Sequence, residues 1–242
     1  AQKKASFGIF ATSDAFNAYK GNNEYARKAF PNLRAVAFIN STDLYLVVRA
    51  NSPIKSYKDC AGKRIGIGAA GSTMANTALF LLEQHGVPKN GFKIQYYSYR
   101  EIVEGIQNNS LDGGFLAGGF PIAAYTELAT NFDVRIVPVD GAVLKRLSEY
   151  PYYYRTVVKA KSYKGVDKDV PVMGFAVALH TTANTSPELV YKVIKNLFEH
   201  KKDYYAIHSS AKELTLENVK KGIAEPFHPG AEKYFKEVGT FK

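Results

Sequence analysis

Short apolar, β-branched runs alternate along this chain with longer stretches of helical period, and three junctions are turns that pass from strand straight into helix. This alternation constrains the fold more than any other feature, because strands interleaved with helices describe an α/β protein. It predicts strands at Phe7–Thr12, Ala35–Ile39, Leu44–Arg49, Arg64–Gly68, Lys93–Ser98, Gly113–Leu116, Val134–Val139 and Val172–His180. Several are apolar almost throughout, as strands are when helices cover both faces of a sheet. The predicted helices are Asp14–Lys20, Ser72–His85, Tyr99–Asn108, Ile122–Ala129, Val143–Glu149, Pro187–Glu199, Leu216–Ile223 and Pro229–Val238. Ser72–His85 carries the clearest apolar stripe and is followed by Gly86, the residue type that favours a left-handed C-terminal cap. Ser186-Pro187 and His228-Pro229 each put proline at the first helical position.

Two long strands frame the chain's organisation. Asp43–Ala50 ends in the polar stretch from Asn51 to Lys58, and Asp169–His180 is entered through Lys161–Lys168. An α/β block bracketed by two extended crossings predicts a two-lobed protein with mixed sheets, flanking helices and a hinge at the crossing strands. Residues 57–168 form one lobe on this reading, and residues 1–56 plus 169–242 the other. A chain of 242 residues is long enough for two cores.

The formal charge of +10 is spread as singles and pairs, such as Lys63-Arg64 and Lys220-Lys221, with no arginine-rich tract. A solubilising surface fits this pattern, a basic field that draws in anions fits it too, and nucleic-acid binding is not supported. No run of about 18 apolar residues is present to span a membrane. The start, Ala1-Gln2-Lys3-Lys4-Ala5, has no initiator Met and no secretory pattern, and reads as a mature or truncated product. Cys60 is the single cysteine, which rules out an intrachain disulfide and a thiolate metal site and leaves a structural role in a loop. With no Trp and 17 Tyr, the run Tyr152-Tyr153-Tyr154 is a candidate cleft lining as well as candidate core.

Three turns are candidates for binding. In Gly68-Ala69-Ala70-Gly71-Ser72-Thr73 a strand meets a helix N-terminus, whose free N–H groups and partial positive charge suit an anion. Gly71 admits a ligand to the backbone, and Ser72 and Thr73 add hydroxyl donors; Ser72 as a plain helix cap is the alternative. Thr12-Ser13-Asp14 is a second such turn. Ser13 and Asp14 suit capping, and if the turn faces a cleft Asp14 suits a ligand ammonium. The third is Gly118-Gly119-Phe120-Pro121, with two permissive glycines and Pro121 placed as the first helical residue. Donors at the C-terminal ends of strands lie where open α/β sheets bind ligands.

Catalytic patterns are thin. The Gly-Lys-Ser/Thr ending of a phosphate loop is missing, and Gly66-x-Gly68-x-x-Gly71 fits a dinucleotide fingerprint poorly because its first two glycines lie within a strand. His85, His180, His200, His208 and His228 show no metal-ligand spacing, and His85 reads as a helix cap that suits the dipole as a cation. Gly-x-Ser-x-Gly is absent, and Asp112, Asp133 and Asp140 border strands as turn caps. The residues imply no cofactor and no metal.

The order of motifs resembles the TAXI family of solute receptors for TRAP transporters. The resemblance rests on Phe7 to Asp14 with Ala18-Tyr19-Lys20-Gly21, on Ala61 to Ser72, on Leu111-Asp112-Gly113-Gly114-Phe115, on Ala117 to Pro121, and on Pro226 to Ala231. It covers essentially the whole chain. It implies a periplasmic binding protein of the two-lobed type II fold, exported with loss of a signal peptide. Such a protein delivers glutamate, glutamine or a related dicarboxylate or keto acid to membrane subunits, without chemistry. The ligand residues it implies are Thr12, Ser13 and Asp14; Gly71, Ser72 and Thr73; Gly118, Gly119 and Pro121; with Tyr153 and Thr156 as further cleft candidates. Family members begin with two strand–glycine-turn elements before the segment aligned with Phe7, so the resemblance also implies that the first part of lobe one is lacking. An enzyme of pyrimidine-synthase type on the same architecture and a ligand-sensing effector domain are the rival readings.

Overall fold

Gly66 and Gly114 sit on neighbouring parallel strands, and a Cβ at either would strike Ile102: at 2.7 Å from Cγ1 for Gly66, and against Cγ2 for Gly114. Absent side chains at these points let a helix lie close on the sheet, which is the local reason for the first glycine of the Gly66-x-Gly68 pattern. The computed structural model describes residues 5–22, 25 and 27–242. Ala1 to Lys4, read above as the start of a mature or truncated product, lie outside the described residues.

In chain order the elements are β1 (Gly8–Ala11), α1 (Thr12–Lys20), β2 (Leu33–Arg49), β3 (Arg64–Gly66), α2 (Thr73–Gln84), β4 (Lys93–Gln95), α3 (Tyr99–Gln107) and β5 (Gly113–Gly118). There follow α4 (Ala123–Asn131), β6 (Val134–Val137), α5 (Gly141–Arg146), β7 (Tyr153–Val158), β8 (Val170–Thr182), α6 (Pro187–Glu199), α7 (Lys201–Tyr205) and α8 (Pro229–Glu237). The α/β class is as the alternation predicts, with a mixed sheet flanked by helices. Among the described residues no helix is long and apolar enough to cross a membrane.

Contacts divide the chain into two compact units. The first is Ala1–Ser41, Pro151–Tyr153 and Phe175–Lys242; the second is Thr42–Tyr150 and Tyr154–Gly174. The division falls within β2 and β8, so each long strand gives one half to each unit. The boundaries drawn from sequence, at 56/57 and 168/169, lie in the polar stretches flanking those strands.

In the second unit β2 pairs antiparallel with β5 and with β6, while β5, β3 and β4 run parallel. The helices α2 and α3 are the crossovers between the parallel strands, and Ile65, Phe115, Leu81, Leu82, Ile102 and Ile106 are buried between layers. In the first unit β1 pairs antiparallel with β8, Gly8↔His180 to Ala11↔Val177. Its core packs α6 and α8 around Val190, Ile194, Phe198, Tyr234 and Phe235. Ser186 caps α6 by accepting from Leu189 N–H, and Pro187 and Pro229 take the first-turn positions foreseen for them.

Four expectations are corrected. Ala35–Ile39 and Leu44–Arg49 are not two strands but one, because Asn40 to Asp43 stay extended and bury Ser41 and Thr42. Leu216–Ile223 is no helix: its bonds run Asn218 N–H to Thr215 O, Lys221 N–H to Asn218 O and Ile223 N–H to Lys220 O, a succession of single turns. Val143–Glu149 is a short helix, Gly141–Arg146, tightening into a 3-10 turn at Leu147–Glu149. Cys60 lies at the end of a 3-10 turn, Tyr57–Cys60, rather than in a loop, and burial pushes its thiol up to about 12. The strand β7 escaped the sequence reading because its tyrosines and Arg155 hide the alternation.

Candidate functional site

In the second unit β5, β3 and β4 are parallel neighbours, so their C-terminal ends share one edge. Each strand is followed by a turn and a helix: β3 by α2, β4 by α3, β5 by α4. Three helix N-termini, with first-turn N–H groups that have no partner inside the helix, are thereby delivered to that edge.

The turn after β3 is shaped by two left-handed glycines, Gly68 at φ +96° and Gly71 at φ +74°. A Cβ on Gly68 would also collide with Met74, whereas one on Gly71 would meet open space. Gly71 is thus present for its backbone angle. Ser72 N–H donates to Ala69 O at 3.0 Å, closing the turn. Ser72 is also the N-cap of α2, its Oγ accepting from Ala75 N–H at 3.2 Å. A hydroxyl that accepts one bond keeps its hydrogen to donate, so capping and ligand binding are compatible here. Thr73 opens the helix, and both side chains are partly exposed.

The turn after β5 differs from expectation in one respect. Pro121 does not open α4: Ile122 is the N-cap and Ala123 the first helical residue, so Pro121 stands outside the helix. A side chain at Gly118 would make only ordinary contact with Ile122, at 3.4 Å or more. This turn is fixed by phenols. Ile122 N–H donates to Tyr163 Oη at 2.6 Å, and Tyr99, at the start of α3, donates to Ala117 O at 2.6 Å. Tyr45 donates towards Asp43 Oδ2 at 3.4 Å, and Asp43 lies opposite Gly118 in the ladder. Burial, with Asp43 nearby, raises the pKa of Tyr45, and burial raises those of Tyr163 and Tyr99, so all three stay protonated, Tyr45 and Tyr99 as donors and Tyr163 as acceptor of the Ile122 N–H.

Thr156 joins this group. A Cβ at Gly174 would lie 2.7 Å from the Tyr154 ring, 3.1 Å from Asp43 Oδ1 and 3.3 Å from Thr156 Cγ2, so these three side chains converge on one backbone point. Gly71, Ser72, Thr73, Gly118, Gly119, Pro121 and Thr156 all belong to the second unit. Asp43, Tyr45, Tyr99 and Tyr163 were missed. Asp43 read only as the start of the long strand Asp43–Ala50 and Tyr163 as part of a linker; a spacing of two along one strand is the signal that could have joined Asp43 to Tyr45.

Thr12, Ser13, Asp14 and Tyr153 belong to the first unit. The expected capping by Ser13 or Asp14 is not found: the N-cap of α1 is Ala11, with no side-chain cap. Thr12 Oγ1 donates to Ala176 O at 3.2 Å, and Ser13 is buried with its Oγ unpartnered. These hydroxyls turn inward because β8 lies beside β1 and offers a carbonyl. Tyr153 stacks edge-on against Tyr152 at 4.7 Å.

The remaining polar candidates are structural. Asp140 caps α5 through Ala142 N–H at 2.8 Å, and Asp112 accepts from Arg64 N–H at 2.8 Å and from its guanidinium at 2.7 Å. That guanidinium is the main reason the Asp112 carboxyl titrates below its usual range. His85 is a C-cap as expected but not a cation: it is buried, and desolvation lowers its pKa. Among the described residues no group of three His, Cys, Asp or Glu could hold a metal.

Several solved structures share this fold. XAC2383 from Xanthomonas citri, bound to ATP, superposes with a TM-score of 0.56 over 98% of this chain and 78% of its own, at 13% identity. A putative sulfonate ABC transporter periplasmic sulfonate-binding protein, SsuA from Methylobacillus flagellatus KT, gives a TM-score of 0.51 at 18% identity, over 97% of this chain and 66% of that one. The periplasmic aliphatic sulphonate binding protein SsuA from Escherichia coli gives 0.47 at 14% identity, and the present chain spans 62% of its length. At these identities the likeness to XAC2383 and to the Methylobacillus flagellatus protein is one of fold. The model of the NMT1-like family matches residues 1–239, and the chain belongs to that family.

Proposed function

We propose that this protein is an extracytoplasmic solute-binding protein that holds a small carboxylate on the second unit and performs no chemistry on it. The single observation that supports the reading is the shared C-terminal edge of β5, β3 and β4, at which β3 leads into the Ser72-capped start of α2 and β5 into the Gly118–Pro121 turn. The carboxylate is assigned to the N–H groups at the start of α2 and to the Ser72 and Thr73 hydroxyls, with Thr156, Gly118 and Gly119 bordering it. Charge-assisted bonds of this kind are short and roughly twice as strong as neutral ones. The resemblance to TAXI receptors makes glutamate, glutamine or a related dicarboxylate or keto acid the first solutes to try, and a TRAP-type transporter the proposed membrane partner in the periplasm.

Isothermal titration of the purified protein with glutamate, glutamine, 2-oxoglutarate and an alkanesulfonate tests the ligand. Removing both hydroxyls in a Ser72→Ala, Thr73→Ala double variant is expected to weaken carboxylate binding by about tenfold or more, as loss of two charge-assisted bonds does. Unchanged affinity would sink the site assignment. Preference for the sulfonate would replace carboxylate by sulfonate as the ligand class. Recovery of chemically altered solute would favour an enzyme.

A further inference from the structure

His85 terminates α2 and is 5% exposed. Both ring nitrogens are committed, and in a way that settles the tautomer. Nδ1 faces the carbonyl of Leu81 at 2.7 Å and must donate; Nε2 faces the N–H of Asp140 at 3.2 Å and must accept. Only the neutral ring with its hydrogen on Nδ1 satisfies both. Asp140 is itself the N-cap of α5, so the ring joins the end of one helix to the start of another. The ring stacks on Tyr57 at 4.3 Å and 15°, and Arg146 adds a parallel tie from α5 by donating to Gln84 O at 2.7 Å.

We propose that His85 is a proton-sensitive latch: its neutral ring holds the end of α2 to the start of α5, and protonation opens that join. A proton on Nε2 turns the acceptor into a donor facing another donor, in a place with almost no water to absorb the conflict. The charged groups around the ring are divided. Burial opposes the proton most, Arg146 and Lys58 also oppose it, and the Leu81 carbonyl and the Asp140 carboxylate favour it. Asp140 stays ionised, because the Ala142 N–H foremost holds its carboxyl below the usual range. The sign follows: a histidine whose folded pKa is lowered binds its proton more readily unfolded, so the latch stabilises the fold above the ordinary histidine pKa and loses that contribution as pH falls.

The first unit supplies a control of opposite tautomer. His228 donates from Nε2 to Thr185 O at 3.1 Å and accepts the Gly230 N–H on Nδ1 at 3.1 Å. Long-range proton–nitrogen spectra of the labelled protein, assigned with His85→Gln and His228→Gln, should find hydrogen on Nδ1 of His85 and on Nε2 of His228. Amide exchange followed from about pH 7.5 to 5, corrected for intrinsic rates, should show Asp140 protection falling about tenfold with the midpoint of the His85 ring. In His85→Gln, whose carbonyl can accept but cannot titrate, that protection should be flat with pH. Hydrogen on Nε2 of His85 overturns the proposal, as does Asp140 protection that ignores the ring's titration or falls equally in the variant. Should His85→Gln not fold, agreement of the ring and Asp140 midpoints in the native protein decides alone.

Discussion

The starts of α1 and α2 look alike in sequence, Thr12-Ser13-Asp14 against Gly71-Ser72-Thr73, yet they use their hydroxyls in opposite ways. In the first unit Thr12 turns into the structure to reach Ala176 O, Ser13 is buried, and the N-cap of the helix is Ala11, with no side-chain cap. In the second unit Ser72 stays at the surface, caps its own helix and keeps a hydrogen to donate. The neighbour decides. The first turn lies against β8, whose Ala176 carbonyl takes a hydroxyl; the second follows the C-terminal end of β3, where Ser72 stays partly exposed. Hydroxyl-rich turns at helix starts are therefore not interchangeable evidence for a site.

The largest test of this contrast concerns what holds each unit. Phe235 is fully buried and contacts Phe198, Phe227 and Phe241. Phe235→Ala is expected to cost about 3–5 kcal/mol. Urea unfolding followed by tyrosine fluorescence and by circular dichroism reads this, and a second, unshifted transition would mean that the second unit folds independently. Next comes Gly68→Ala, which forces a side chain into left-handed backbone and against Met74; a loss of about 1–3 kcal/mol is expected. Smaller again, Ser72→Ala should cost about 1 kcal/mol through the lost cap, while Ser13→Ala loses no cap. Equal losses at 72 and 13 would break the comparison. Smallest is Arg100→Ala, whose ion pair with Glu104 is largely exposed and should leave the unfolding midpoint unchanged within error.

How much of this was legible depends on range. The helix starts at Ser186-Pro187 and His228-Pro229 were readable because proline and the cap residue act within one turn. The break expected at Asn40 to Asp43 failed because burial in a continuous strand overrides local polarity. Pro121 stands two positions before the first helical residue, Ala123, and Tyr163, far along the chain, fixes Ile122 between them. Leu216–Ile223 has helical composition but makes single turns, with Gly222 in the left-handed region at φ +68°.

By itself the sequence determined the α/β class, the strand–turn–helix order and the glycine turn from Gly68 into the Ser72-capped helix. These rest on periodicity, glycine and capping, which act over a few residues. Tertiary structure decided which hydroxyls turn inward, why Asp43 and Thr156 converge on Gly174, and why His85 is neutral. Those outcomes depend on groups brought together from distant parts of the chain, and on burial, which no local pattern encodes.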